Sequence, residues 1–372
     1  MDNTVVTIYC CGTGEHRDKL ENIVPYTWRA TKGARVYMND GAGNGRYDIL
    51  KSEHILETVE SGGNFWFQKD KAFKSKNTSL IKGNLGGVGT QDNIVNSIQF
   101  LWMEYYAKNK PTFGTINLCG WSRGAVTCIM LAHAIEEAGF RAMIPSLKVN
   151  IFAIDPVPGG LNDFGSGNFD KTGRVGTPDE LAMCVNEYQA VLAENVGGAK
   201  GAVFRNCSPD FTGASRNSPM KTEFPLPGSH SNVAKVESGN SVGRLSVSFC
   251  HRFLRRHGTE ILVPMEMSDD QELEQFAEIL LQHGKFKKKG VFNRKKVFKK
   301  WSVATMRAGI VRNAERAHRF FVNHYHAELL ERRLPRVAAY IAGGTPIGSS
   351  ELQAVRLQFP KTYEVMPAIG YL

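Results

Sequence analysis

Residues 115–138 read TINLCGWSRGAVTCIMLAHAIEEA. Five apolar-rich residues, TINLC, read as a buried strand. A serine between two glycines follows, and after Gly124 the residues Ala125 to Ala138 run without Gly or Pro, so Arg123 to Ala138 reads as a helix. Strand, tight turn and helix in direct succession leave few folds open. The G-x-S-x-G pattern of Gly120, Ser122 and Gly124 recurs by chance when taken alone. Its flanks make it specific. A serine on a sharp strand-to-helix turn needs small residues on both sides, because side chains there would collide. The helix N-terminus also favours negative charge developing beside the serine. Ser122 is therefore read as a nucleophile on an elbow formed with Gly120 and Gly124.

The rest of the first half supports a layered α/β fold. Val5–Cys11, Arg35–Met38 and Lys148–Ile154 are further apolar strands, and Ile94, Ile98, Leu101 and Tyr105 recur at helical spacing. Strands apolar on both faces and alternating with helices predict a mostly parallel central sheet flanked by helices. Residues 156–228 are rich in Gly, Pro and Asn and are read as a lid or pocket-wall excursion with one helix near 178–195. A helix is expected over 246–257. From 271 to 372 the pattern is mainly helical and basic, so the chain is divided into a catalytic domain, 1–270, and a C-terminal extension, 271–372.

A serine nucleophile needs a base and an orienting acid. Asp155 is the first acid at a strand end after Ser122, in IFAIDPVPGG, and Pro156 and Pro158 stiffen its loop. His230 lies in PLPGSHSNV, a turn-rich loop from which an imidazole can reach a serine. Nine other histidines compete. His133 falls on the helix after the elbow, and His16 sits near a glycine loop. His251 and His257 share one helical run, and His318, His324 and His326 another, all read as solvated faces. His54 and His283 carry no signal. The residues alone do not choose among these.

Five segments together resemble one family. GWSRGA resembles the G-F-S-R-G-A elbow of the Tle1-like hydrolases, also called the DUF2235 family. CCGTGE at 10–15 resembles its F-D-G-T-G-N, and VYMNDGAGNG at 36–45 its Y-Y-D-G-V-G-T. AIDPVPG at 153–159 resembles its W-D-T-V-G. FPLPGSHSNV at 224–233 resembles its F-P-G-x-H-S-D-V-G-G, and LSVSFCHRFLRRHG at 245–258 the helix after it. Motif order and approximate spacing agree over residues 5–260. Cys11 stands for the family's Asp before Gly-Thr-Gly, Asn232 for the Asp after His-Ser, and Ala234-Lys235 for Gly-Gly. The resemblance implies an α/β-hydrolase with a triad of Ser122, Asp155 and His230. It implies an oxyanion hole from the backbone N–H of Arg123 and from Thr13 and Gly14 of the first glycine loop. The family includes phospholipase effectors delivered by type VI secretion. That setting implies phospholipid or another ester as substrate, and an immunity or secretion-system protein as partner. It places the protein in the producer's cytosol, then on a target cell's membrane. Such chemistry needs neither metal nor organic cofactor.

Net charge is +10, and residues 285–300, KFKKKGVFNRKKVFKK, hold nine Lys/Arg and no acid. The basicity is thus local. Lys287, Lys288, Lys289, Arg294, Lys295, Lys296, Lys299 and Lys300 are interleaved with Phe and Val, which suits an anionic membrane surface. A solvated helical face and a nucleic-acid contact are the alternatives weighed. A rival reading of the whole chain keeps the hydrolase fold without turnover, as a binding module docking through this segment. Seven cysteines without paired metal spacing read as free thiols in a reducing compartment. No basic n-region with a long apolar run opens the chain, and no window approaches 18 uncharged apolar residues. NDGAGNGRYD at 39–48 fails as an EF-hand. Counted from Asp40, Ala42 falls at the third ligand position and Lys51 at the twelfth.

Overall fold

The continuous apolar runs become neighbouring strands of one sheet. The computed structural model describes residues 4–33, 35–42, 90–107, 112–157, 180–194, 209–211, 220–283, 285–289, 293–297 and 321–368. In chain order the first elements are β1 (Thr4–Cys10), α1 (Ile23–Ala30), β2 (Val36–Asn39), α2 (Thr90–Tyr106), β3 (Phe113–Trp121), α3 (Arg123–Glu137) and α4 (Phe140–Met143). They are followed by β4 (Lys148–Ile154), β5 (Glu180–Leu181), β6 (Val185–Glu194), β7 (Asp210–Phe211), β8 (Met220–Pro227) and α5 (Ser241–Arg256). The last are α6 (Asp269–His283), β9 (Lys285–Lys289), β10 (Asn293–Val297), α7 (His324–Arg333), α8 (Pro335–Gly343), α9 (Ser349–Gln358) and α10 (Pro360–Ala368).

The main sheet has six strands in the order β2-β1-β3-β4-β6-β8. The registers from β2 through β6 are all parallel. A parallel strand needs a crossover, and α3 supplies the one between β3 and β4. Its residues from Arg123 to Ala132 are all buried, so it is covered all round rather than on one stripe. The fold class is the α/β layering read from the sequence.

Residues 178–195 are a correction. The expected helix there is strand β6, inserted beside β4 with Ile151 opposite Tyr188 and Ile154 opposite Val191. Glu187, Gln189 and the alanines favour a helix by intrinsic propensity, but burial on both faces decides for strand. Buried Glu187 has two partners: it accepts from Arg256, and it is hydrogen-bonded to His257 Nε2 at 3.0 Å.

A row of polar side chains crosses the sheet's interior. Asn186 donates to Asn150 at 2.9 Å, Asn150 to Asn117 at 3.0 Å, and Asn117 to the Thr259 hydroxyl at 2.8 Å. Thr259 meets the Thr7 hydroxyl at 2.8 Å. Thr7, Asn117 and Asn150 are also register partners. The amides of Asn186 and Asn150 are satisfied by the next strand and that of Asn117 by Thr259 after α5, which offsets the cost of burying them.

The residues group into two units. One gathers 1–191, 198–223 and 249–264; the other gathers 192–197, 224–248 and 265–372. In the second unit, Glu272 of α6 is buried and accepts from Ser248 and Tyr325. Glu274 accepts the N–H groups of Lys361 at 2.8 Å and Thr362 at 3.0 Å, which caps α10. The basic run forms an antiparallel pair, β9 with β10, where a continuing helix was expected. Lys299, Lys300 and residues 301–320 lie outside the described residues. Farther along the stretch read as mainly helical, the described residues form α7 and α8, broken where Pro335 follows Leu334.

His251 and His326 are buried, not on solvated faces. His251 Nε2 bonds the Thr27 hydroxyl at 3.1 Å, and its ring stacks on Tyr26. His326 Nδ1 accepts the Val322 N–H at 3.3 Å, and its ring stacks on Phe276 at 4.5 Å. Burial, aided by the Arg255 charge, lowers His251 to about 4; burial lowers His326 to about 3. Both are neutral when folded, whereas the unfolded imidazole titrates near 6.5. Stability is therefore full above that value and is lost as pH falls toward the folded values. Between pH 7 and 5 each group costs on the order of 2 kcal/mol. Thermal melts at both pH values should show a smaller acid loss for His251→Asn and for His326→Asn than for wild type. An unchanged acid loss would remove both histidines as the cause.

Candidate active site

β3 ends at Trp121, and α3 begins at Arg123, so Ser122 alone turns the chain. It does so at φ 56° and ψ −124°, a conformation that a β-carbon disfavours. Small neighbours permit it. A β-carbon on Gly120 would lie 2.5 Å from the Gly124 backbone, and one on Gly124 would lie 2.2 Å from the Cys10 carbonyl oxygen. The Ser122 N–H donates to the Ile154 carbonyl at 2.9 Å, and its carbonyl accepts from Ala125 and Val126 at 3.1 and 3.2 Å. The turn is thereby tied to strand and helix together.

Asp155 occupies the matching position one strand over. Trp121 and Ile154 are register partners, so Ser122 and Asp155 leave adjacent strands side by side. Asp155 takes φ 41°, and these two are the non-glycine residues with positive φ among the described residues. Asp155 is fully buried, and its N–H donates to the Val191 carbonyl at 2.7 Å. The N–H of Val157 reaches back to the Ser122 carbonyl at 3.3 Å. Two strained residues at neighbouring strand ends form a distinctive arrangement, because such strain concentrates where geometry serves chemistry.

The first glycine loop lies against this turn. A β-carbon on Gly12 would come within 2.5 Å of the Trp121 ring. Gly14 adopts φ 70°, and its N–H donates to the Ala42 carbonyl at 2.9 Å. Gly41 donates to the Glu15 carbonyl at 2.9 Å, and a β-carbon there would meet the Gly12 carbonyl oxygen at 1.6 Å. Loops 11–15 and 40–42 therefore run in backbone contact, with Thr13 half-buried. Asp40, first considered at the head of a cation loop, is 2% exposed and its carboxylate receives Arg17. Residues 43–51 of that loop lie outside the described residues, and no metal-ligating cluster occurs among the described ones.

His230 belongs to the second unit, whereas Ser122 and Asp155 belong to the first. It follows β8 in a loop that holds its own shape. The Ser229 N–H donates to Asn232 Oδ1 at 3.1 Å, and the Asn232 N–H to the Ser229 carbonyl at 2.9 Å. Asn232 thus supplies the side-chain acceptor that an aspartate would supply at the same place. Asn240 Nδ2 donates to the carbonyls of Asn232 and Lys235 at 2.7 and 2.9 Å. His230 is half-buried. Several competing histidines have structural partners: His16 lies 3.7 Å from Asp18, and His324 stacks on Phe224, beside the three already placed. His54 and His318 lie outside the described residues.

Electrostatics separate the candidate nucleophiles. Burial pushes the Cys11 thiol well above its ordinary range, and the Asp40 carboxylate pushes it further. The Cys250 contact together with burial raises Cys119 in the same way, and burial raises Cys128. Thiols held protonated are poor nucleophiles. Burial also lowers the pKa of the Arg123 guanidinium.

No family model matches this chain, nor does any curated protein. Among solved structures, it is similar to an uncharacterized protein from Pseudomonas aeruginosa, at 12% identity and TM-score 0.40, over 98% of this chain and 62% of that one. It is similar to the Tle1 effector bound to the VgrG spike of the type 6 secretion system, at 16% identity and TM-score 0.33, over 62% of this chain and 50% of that one. It is also similar to acetyl xylan esterase 1 from Thermoanaerobacterium sp. JW/SL YS485, at 12% identity and TM-score 0.21, over 60% and 68%. The chain spans less than two thirds of the first two neighbours' lengths. At these scores none of the three assigns an activity or a partner.

If Ser122 stores strain because its β-carbon is held at positive φ, glycine relieves that strain and alanine does not. Such strain is worth about 1–3 kcal/mol, partly offset by glycine's greater freedom when unfolded. Ser122→Gly should therefore melt about 2–4 °C above Ser122→Ala. Equal melting temperatures would mean that the turn is not strained.

Proposed function

We propose that this protein is a serine hydrolase of carboxylic esters, with phospholipid as its substrate class. The observation that carries the reading is the pair of strained residues, Ser122 and Asp155, at neighbouring strand ends. Ser122 Oγ attacks the ester carbonyl. His230 takes the hydroxyl proton as general base and returns it to the leaving alcohol. Asp155 orients the imidazole and stabilises its charged form. The Arg123 N–H, at the first turn of α3, and the Thr13 N–H of the Gly12–Gly14 loop receive the oxyanion, whereas the Gly14 N–H expected to share that role is held by the Ala42 carbonyl. Water then hydrolyses the acyl-enzyme with the same base.

The assignment of His230 is supported by chain order, serine then acid then histidine, and by the stapled loop that presents it. The choice of lipid is supported by the five-motif resemblance to the Tle1-like family. The basic segment 285–300 adds a surface suited to anionic headgroups. On the same resemblance the protein acts as a delivered effector, with a secretion-system or immunity protein as partner.

The test is labelling by a fluorophosphonate probe together with fatty-acid release from mixed phospholipid vesicles. Wild type should label and release fatty acid. Ser122→Ala should not label, and Ser122→Ala, Asp155→Asn and His230→Ala should each lose at least about a thousandfold in rate. A wild type that binds anionic vesicles salt-sensitively yet never labels would replace this reading with a non-catalytic binding module.

A further inference from the structure

The mechanism above uses backbone donors of the loop after β1 but leaves open what holds that loop. We propose that Arg17 and Asp40 are a positioning pair that fixes the Gly12–Gly14 loop against the serine turn. The inference rests on the hydrolase reading.

The geometry is a double anchor. Arg17 forks onto the Asp40 carboxylate, with Nε 3.1 Å and Nη2 2.9 Å from Oδ2. The backbone N–H of Arg17 donates to Oδ1 at 2.7 Å, so the chain itself is held as well as the side chain. Asp40 is 2% exposed, and its carbonyl accepts from Asn93 Nδ2 of α2 at 2.9 Å. The Asp40 backbone is therefore tied to the helix layer while its carboxylate receives the arginine. Arg17 also lies over the Trp28 ring of α1 at 5.7 Å. A buried, charge-assisted fork has a narrow range of geometries.

The anchor sits beside the reacting centre without entering it. Arg17 is two residues past Glu15, whose N–H closes on the Gly12 carbonyl at 3.0 Å. Asp40 immediately precedes Gly41, whose backbone lies against the Gly12 carbonyl. Fixing residues 17 and 40 therefore fixes both ends of the strip that places Gly12, Thr13 and Gly14. The Trp121 ring, one residue before the serine, lies on the other side of Gly12. A loop gripped on both sides presents its N–H groups at one position, which oxyanion stabilisation requires. The donors become useful only when charge develops, so loosening them raises the barrier without weakening substrate binding.

The experiment compares wild type, Asp40→Asn, Arg17→Lys and the combined variant. Readouts are hydrolysis of p-nitrophenyl butyrate, inhibition by an aliphatic trifluoromethyl ketone, and thermal melting. The ketone forms a tetrahedral adduct with the serine and needs the same oxyanion donors. Asp40→Asn should lower kcat about a hundredfold with KM nearly unchanged. The ketone's Ki should rise by the same factor. Arg17→Lys keeps the positive charge but loses the fork, and should show the same pattern at about tenfold even if Asp40→Asn fails to fold. The combined variant should be no worse than Asp40→Asn, because the two residues act as one unit. Folded variants with unchanged kcat and Ki would overturn the proposal. So would a fall in melting temperature with Ki unmoved, which marks a purely structural pair. A wild type that neither labels nor hydrolyses would instead defeat the hydrolase reading, and this inference with it.

Discussion

The approach of α3 to the end of β1 is the constraint on which the site depends. Gly124 stands so close to the Cys10 and Cys11 carbonyls that no β-carbon fits, at 2.2 and 2.4 Å. Gly120 and Gly124 stand equally close to one another. With ordinary side chains at either position, helix and strand would separate and Ser122 could relax. Close packing therefore holds the turn in a conformation that its own residue disfavours. The same contact brings the loop after β1 alongside the turn, and Gly41 extends it to the end of β2. Three strand ends are thus gathered into one backbone cluster.

Much of this was legible in the sequence because it is local. Apolar runs of strand length, glycines flanking a serine and a helix without breakers each report their structure within a few residues. Ser122 and Asp155 fell where a strand-end reading put them. The strained backbone at Ser122 was legible from its glycine flanks, whereas the positive φ of Asp155 was not, since nothing in an aspartate announces it. The β6 segment misled because its composition favours helix, whereas its position between β4 and β8 decides the outcome. The basic segment misled for a related reason: lysine tolerates a helix, and only the pairing of 285–289 with 293–297 reveals the strands. Asp40 falls in a motif read from the sequence, but Arg17 is 23 residues away and no pattern pairs the two. Whether His230 serves Ser122 rests on chain order, and enzymology decides it.

The setting of the serine also explains how so many cysteines can sit near it. Cys10, Cys11, Cys119 and Cys128 lie on the strands and helix that form the turn, and all are buried. They serve as small apolar fillers where larger side chains would push α3 off the sheet. Burial keeps Cys11 and Cys128 protonated, the Cys250 contact together with burial does the same for Cys119, and Ser122, at 7% exposure, is left as the hydroxyl at the strand's end. Cys11 stands where the resembled family carries an aspartate, and Asp40 is already the buried carboxylate of this corner. A second anion there would have to share Arg17.

The polar row from Asn186 to Thr7 bears on how the protein is made. Its rungs Thr7, Asn117, Asn150 and Asn186 leave the ribosome in order, but the rung that joins Asn117 to Thr7 is Thr259. Until residue 259 emerges, a nascent sheet of β1, β3 and β4 carries an asparagine whose amide has no acceptor at its core. That asparagine would also lack the His257 carbonyl, to which Asn117 donates at 3.0 Å. A chain stopped anywhere short of this point would hold the serine turn and its acid yet have an unsatisfied centre. The centre of the sheet is therefore completed by residues more than a hundred positions downstream of Asn117. Chaperone capture and degradation should fall mainly on chains caught in that interval.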